Sequence, residues 1–252
     1  MVGRGNTEMS VPGLFTHGSP RHHLPHPVIA TRLLLVAHAA FVEAFTMLRA
    51  APPVGFVLAT ALEKDITRQL KDILANDLLP GGSVPGFNKV YFSYVVRDAE
   101  LTSYDGKHPD KKPDIVLGLQ RSDGAYVIAD QDCLFIECKP VDAAHALTTE
   151  YGLAGIRRFV EGEYAWAMES AVMLAYVRGS STISQHLKSN LKKNRNDPRF
   201  GKPTSPRKVP GSLSGPKYDA LRSTKHRRGF KWPANNRSAT PITIVHSWHD
   251  CS

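Results

Sequence analysis

The sequence predicts an α/β domain with a central mixed β-sheet flanked by helices. SAVMLAYVRG at 170–179 is a fully apolar strand, hence central and buried, and CLFIECKPV at 133–141 is a very apolar strand that carries Glu137 and Lys139. Helix-like and strand-like segments interleave as helix, several strands, helix, strand, helix, strand, which is the order of a layered α/β core. Clusters of proline and glycine separate these segments, as at 52–53, 80–82 and 85–86.

Taken in order, residues 1–27 are rich in Gly, Pro and His without periodicity and read as a disordered tail. Residues 28–50 read as an N-terminal helix around TRLLLVAHAAFVEAFTMLR. Arg32, His38, Glu43 and Arg49 interrupt its apolar run, so a packed helix is expected and not a membrane span. Met47 is an alternative start that would leave the upstream part outside the fold. VLATALEKDITRQLKDILANDLL at 57–79 reads as a helix with Leu62, Ile66, Leu70 and Ile73 or Leu74 as its buried stripe and Glu63 at the stripe's edge. KVYFSYVVRDAE at 89–100 is expected to be a strand, followed by a polar loop to 112. DIVLGLQ, AYVIA and CLFIECKPV are expected as strands, with a turn at RSDG before the second. A helix is expected around 142–162, the buried strand follows at 170–179, and TISQHLKSNLKK reads as a helix. Residues 194–220 look like a long basic loop, and PITIVHSWHD is a last strand.

A chain of 252 residues with 42% hydrophobic content can form one domain with a sizeable core. Three cysteines, Cys133, Cys138 and Cys251, make no disulfide framework and suit a reducing compartment, so a cytoplasmic location is expected. The net charge is +9, and its distribution matters more. Residues 178–238 carry 16 of the 32 Lys and Arg but only two acids, Asp197 and Asp219. Such asymmetry points to a polyanion partner, since phosphate neutralisation drives binding by counterion release.

The chemistry concentrates in KKPDIVLGL and CLFIECKPV. Side chains alternate along a strand, so Glu137 and Lys139 share one face while Leu134, Ile136 and Cys138 share the other. An acid and a lysine in so apolar a strand are costly unless they are paired or hold a cation. Asp114, after Pro113, opens the other strand. If the strands are neighbours, Asp114 and Glu137 can share one divalent ion.

Pro113-Asp114 followed by Glu137-Cys138-Lys139 resembles the PD-(D/E)xK superfamily of restriction-endonuclease-like nucleases, convincingly over about 55–178. The resemblance implies a restriction-endonuclease-like core, a nuclease-like domain over 51–252 with a basic loop region at 188–238, and phosphodiester hydrolysis. It implies Mg²⁺, with Mn²⁺ as a substitute, held by Asp114, Glu137, the Cys138 backbone carbonyl and Glu63. Lys139 would orient or deprotonate water, or oppose developing charge. Glu63 has a second open reading, a surface pair with Lys64 or Arg68. GIRRFVEGEYAW and STKHRR resemble segments of a bacterial subgroup, the latter as a loop beside the site carrying Ser223, His226 and Arg228. Candidate nucleic-acid contacts are Arg157, Arg158, Lys192, Lys193, Arg195, Lys225, His226, Arg227 and Arg228. The expected partner is nucleic acid, DNA ahead of RNA, with a partner subunit or homodimer possible, no membrane, and a role in defence or mobile-element biology. Two rivals stay open: a non-catalytic nucleic-acid-binding module on the same fold, and an α/β interaction protein with a basic loop.

Overall fold

The computed structural model describes residues 24–121, 127–232 and 235–252. The strands are β1 (Phe92–Val96), β2 (Ile115–Leu119), β3 (Cys133–Val141), β4 (Ser170–Val177), β5 (Arg207–Lys208), β6 (Arg222–His226) and β7 (Ile242–Asp250). They form one seven-stranded mixed sheet in the order β1-β2-β3-β4-β7-β6-β5. The central pairs, β3 with β4 and β4 with β7, are parallel, and the outer pairs are antiparallel. Every residue of β3 and β4 is buried; the apolar run of β4 requires cover on both faces, and β3 buries Glu137 and Lys139 as a pair. The chain is therefore α/β, with a mixed sheet flanked by helices.

Helices α1 (Thr31–Ala50) and α2 (Glu63–Ile73) cover one face. There His38 Nδ1 meets Ser247 Oγ at 2.9 Å, Phe45 stacks on His249, and Thr67 Oγ1 meets the Tyr176 hydroxyl at 2.8 Å. By length and composition α1 is apolar enough to cross a membrane. In this fold one side of it is core: Leu34, Phe41, Phe45 and Leu48 are buried, each worth roughly 1.5–3 kcal/mol of transfer free energy. A π-helix (Leu74–Leu78) prolongs α2 into the short α3 (Leu79–Gly81).

The opposite face carries a second π-helix (Leu147–Ile156) running into α4 (Arg157–Glu161), and a third (Ile183–Leu187) running into α5 (Lys188–Lys193). Gly155 explains how closely the second π-helix lies on the sheet: a Cβ there would come 2.5 Å from Met173 Cε and 3.6 Å from Lys139 Cγ. A larger residue would push this layer off the site.

Several expectations are corrected. The second helix begins at Glu63, and residues 54–62 are turns and coil. Of the strand expected at 89–100 only Phe92–Val96 pairs, and residues 127–129 do not continue a strand, while 122–126 of the expected turn and strand lie outside the described residues. The tail expected over 1–27 lies outside the described residues up to 23, but His26 is buried: its Nε2 accepts from the Ile128 amide at 3.1 Å, and its own amide donates to the Ala167 carbonyl. The basic loop region of 188–238 contains α5, β5 and β6, and STKHRR is mostly strand rather than loop.

Candidate active site

Antiparallel pairing of Ile115 with Ile136 seats Asp114, the residue just before β2, beside the middle of β3. Asp114 Oδ2 accepts a hydrogen bond from the Cys138 amide at 2.6 Å. The alternation expected for β3 is observed. Glu137 and Lys139 face the π-helix and α4 layer, where Glu137 meets Arg158 and Tyr164 and Lys139 lies against Gly155, while Cys138 faces Tyr176 on the α2 side.

Lys139 Nζ is the centre of the cluster. It lies 2.9 Å from Glu137 Oε1, 3.1 Å from Glu63 Oε1 and 3.8 Å from Asp114 Oδ2, and it donates to the Cys138 carbonyl at 2.9 Å. Glu63 thus reaches the site from the first turn of α2, and Arg68 pairs instead with Asp65 at 3.4 Å. Arg178 fixes the entry to α2 by donating to the Ala61 carbonyl.

Tyr164, not foreseen at the site, and Arg158, expected as a nucleic-acid contact, hold Glu137 from behind. The Tyr164 hydroxyl donates to Glu137 Oε2, and Arg158 Nη1 stands 3.5 Å from Oε1. Oε1 is buried and has no well-formed hydrogen bond, so Lys139 and Arg158 hold it by charge rather than by alignment.

Burial sets the electrostatics. It pushes the Glu137 carboxyl up to about 7, reinforced by the negative charge of Asp114 and opposed by Lys139, Arg158 and Tyr164. Burial likewise raises Asp114, against the pull of Lys139 and the Cys138 amide, and raises Glu63. For Lys139 burial works the other way, but Glu137, Asp114 and Glu63 outweigh it and hold the ammonium above its usual range. Burial raises the Cys138 thiol well above its ordinary value, which with its orientation removes it as a nucleophile.

Among the described residues no three His, Cys, Asp or Glu side chains form a metal-holding cluster. The four groups expected to hold a divalent ion nonetheless surround one cation already, the Lys139 ammonium. All are oxygen donors, the set that suits Mg²⁺, and Glu137 Oε1 is short of a hydrogen bond. The residues fit the ion in the chemistry of their donors.

A cleft of about 390 Å³ adjoins Glu63, walled by Lys64, Pro140, His145, Glu150 and Arg178. His145 lines it with Nδ1 2.7 Å from Asp142 Oδ1.

The expected nucleic-acid contacts divide. Lys192, Lys193, Arg195, Lys225 and Arg227 are exposed. Arg157 is engaged with Glu161 at 2.9 Å and with the Leu153 carbonyl. His226 and Arg228 are corrections, because both are buried. Arg228 donates to the carbonyls of Thr240, Ala165 and Trp166, tying two loops together. His226 belongs to a buried chain of hydrogen bonds. The Phe200 carbonyl can only accept, so His226 Nδ1 donates to it at 2.7 Å. Burial lowers His226 to about 4 and His246 well below its usual value, which favours neutral rings. With neutral rings Thr224 donates to His226 Nε2, His246 Nε2 to Thr224 and Tyr151 to His246 Nδ1, while the Trp248 indole donates to the Tyr151 hydroxyl at 3.0 Å.

No protein-family model matches this chain, and no curated protein or solved structure matches it either.

Proposed function

We propose that this protein is a divalent-metal-dependent nuclease with a restriction-endonuclease-like core of the PD-(D/E)xK kind, hydrolysing phosphodiester bonds in DNA. The observation that carries the reading is the convergence of Glu63, Asp114 and Glu137 on Lys139 at the junction of β2 and β3. An all-oxygen cage of acids around one cation, in a protein with an exposed basic region, matches what phosphodiester hydrolysis demands.

Asp114, Glu137, Glu63 and the Cys138 carbonyl would hold Mg²⁺ or Mn²⁺. When bound, the ion supplies Lewis acidity and orientation at the scissile phosphate. Tyr164 fixes the rotamer of Glu137 by donating to Oε2. The Cys138 amide does the same for Asp114. Lys139, kept protonated by its three acids, opposes the negative charge that develops on the phosphate and orients the attacking water. It becomes a proton acceptor only once those acids have another cation to neutralise. The buried, unpaired thiols of Cys133, Cys138 and Cys251 support a cytoplasmic setting.

Supercoiled plasmid, linear duplex and RNA incubated with Mg²⁺, Mn²⁺ or EDTA test the reading. Nicking or linearisation of the plasmid, abolished by EDTA, is expected. Cation-independent binding of DNA without cutting would replace the nuclease by the binding module.

A further inference from the structure

We propose that Arg158 is a phosphate-binding residue coupled to the cation: it guards Glu137 while the site lacks a divalent ion and turns to the scissile phosphate when one is bound. The inference rests on the nuclease reading and names the residue that ties substrate binding to the ion.

Glu137 Oε1 faces two cations, Lys139 Nζ at 2.9 Å and Arg158 Nη1 at 3.5 Å. A divalent ion on that oxygen must displace the hold of both. Lys139 has little room to leave, since its side chain is only 9% exposed and lies against Gly155. The Arg158 side chain is 33% exposed and sits at the surface end of the cluster. Its neighbour Arg157 is not available in the same way, being shared between Glu161, Glu163 and the Leu153 carbonyl. Arg158, also held by the Tyr164 hydroxyl and attracted by Glu163, is therefore the more exposed of the two cations on Glu137, and its planar fork matches phosphate.

Charge gives the direction. When all three carboxylates are ionised, they outnumber Lys139 and Arg158 by one negative charge, which repels a phosphodiester. A bound divalent ion reverses the sign and weakens the attraction between Glu137 and Arg158. Linkage then requires that the ion strengthen phosphate binding, and that phosphate strengthen ion binding by the same factor.

The test is a two-by-two comparison of cation and arginine. Manganese binding is measured by calorimetry on wild type and Arg158→Gln. Binding of a labelled duplex oligonucleotide is measured for both with EDTA and with Ca²⁺, which fills oxygen sites while holding DNA for equilibrium measurement. Removing a guanidinium next to an ion's ligand should tighten Mn²⁺ binding by about fivefold or more. Ca²⁺ should strengthen DNA binding by about tenfold more in wild type than in Arg158→Gln, with the two proteins alike in EDTA. If Arg158→Gln weakens DNA binding by the same factor with and without Ca²⁺, Arg158 is a static contact and the coupling is absent. If wild type takes up no Mn²⁺ at all, the nuclease reading itself falls. Arg158→Lys, which keeps the charge and loses the fork, serves if the glutamine variant does not fold; it should retain less than half of the logarithmic Ca²⁺ gain, and full retention overturns the proposal.

Discussion

The Asp114 carboxylate is clamped by the Cys138 amide at 2.6 Å, one residue beyond its cross-strand neighbour Glu137. That bond gives Asp114 a structural role beside the one proposed for it. Asp114→Ala leaves a part-buried amide without its acceptor, so a stability loss of roughly 1–3 kcal/mol is expected in urea unfolding. Asp114→Asn keeps an acceptor and should lose little stability while losing cutting. Equal stability of the two variants would show that the clamp contributes nothing.

Tyr164→Phe removes the hydroxyl that holds Glu137 Oε2 and leaves a buried acid with one fewer donor. A cost of roughly 1–3 kcal/mol is expected, together with weaker Mn²⁺ binding as Glu137 loses its fixed rotamer. Unchanged ion affinity would leave Tyr164 as packing alone.

Glu63→Gln should loosen Lys139 and weaken ion binding and cleavage without disturbing the fold, since the Glu63 side chain is part-exposed and its backbone carbonyl, not its carboxylate, accepts from Thr67. Wild-type cleavage by this variant would remove Glu63 from the site.

Stability should fall in mild acid. Burial lowers His38 and His226 to about 4, and holds His246 and His249 well below the usual histidine value. The unfolded chain protonates its histidines below about 6.5 while the folded chain does not until near 4, so their contribution is complete above that upper value and is lost as pH falls through the window. Glu137 acts in the opposite sense: its folded pKa of about 7 means the cation-free protein gains stability as pH falls from there toward the ordinary glutamate range. Asp114 and Glu63, also raised, act in the sense of Glu137, but the four histidines outweigh the three acids and predict a net loss between pH ~7 and ~4.5, read as a falling urea midpoint. Glu137→Gln should be more stable than wild type above pH ~7 without cation, by roughly 2–4 kcal/mol, and the gap should close toward pH ~4.5. A flat profile would contradict both assignments.

Reversing exposed Lys192, Lys193, Arg195, Lys225 and Arg227 to Glu should weaken DNA binding broadly and flatten its salt dependence with the fold intact. Arg228→Glu should instead unfold the protein, because its guanidinium is buried among three carbonyls. An unchanged salt slope in the multiple variant would place the DNA path elsewhere.

The sequence revealed the parts of this site that obey strand periodicity. Glu137 and Lys139 had to share a face, and Asp114 opened the antiparallel neighbour. Glu63 was legible because it edges an amphipathic stripe. Tyr164 was not, since its approach to Glu137 depends on a glycine-capped turn after α4 that has no periodic signature. Strand β6 was missed for a different reason. Its buried residues, Thr224 and His226, are polar and satisfied within a hydrogen-bond chain, so hydropathy marks RSTKH as a loop. The same chain explains why His226 is core and not a phosphate ligand.

Single-turnover cleavage of end-labelled DNA by wild type, Asp114→Asn and Lys139→Met, each with Mn²⁺ and with EDTA, tests the central claim most directly. Cleavage by wild type with Mn²⁺ alone is expected, with both variants slower by on the order of 10²-fold or more while still binding DNA. Cleavage that persists at the wild-type rate in both variants, or that survives EDTA, would contradict a metal-dependent site built on Asp114, Glu137 and Lys139.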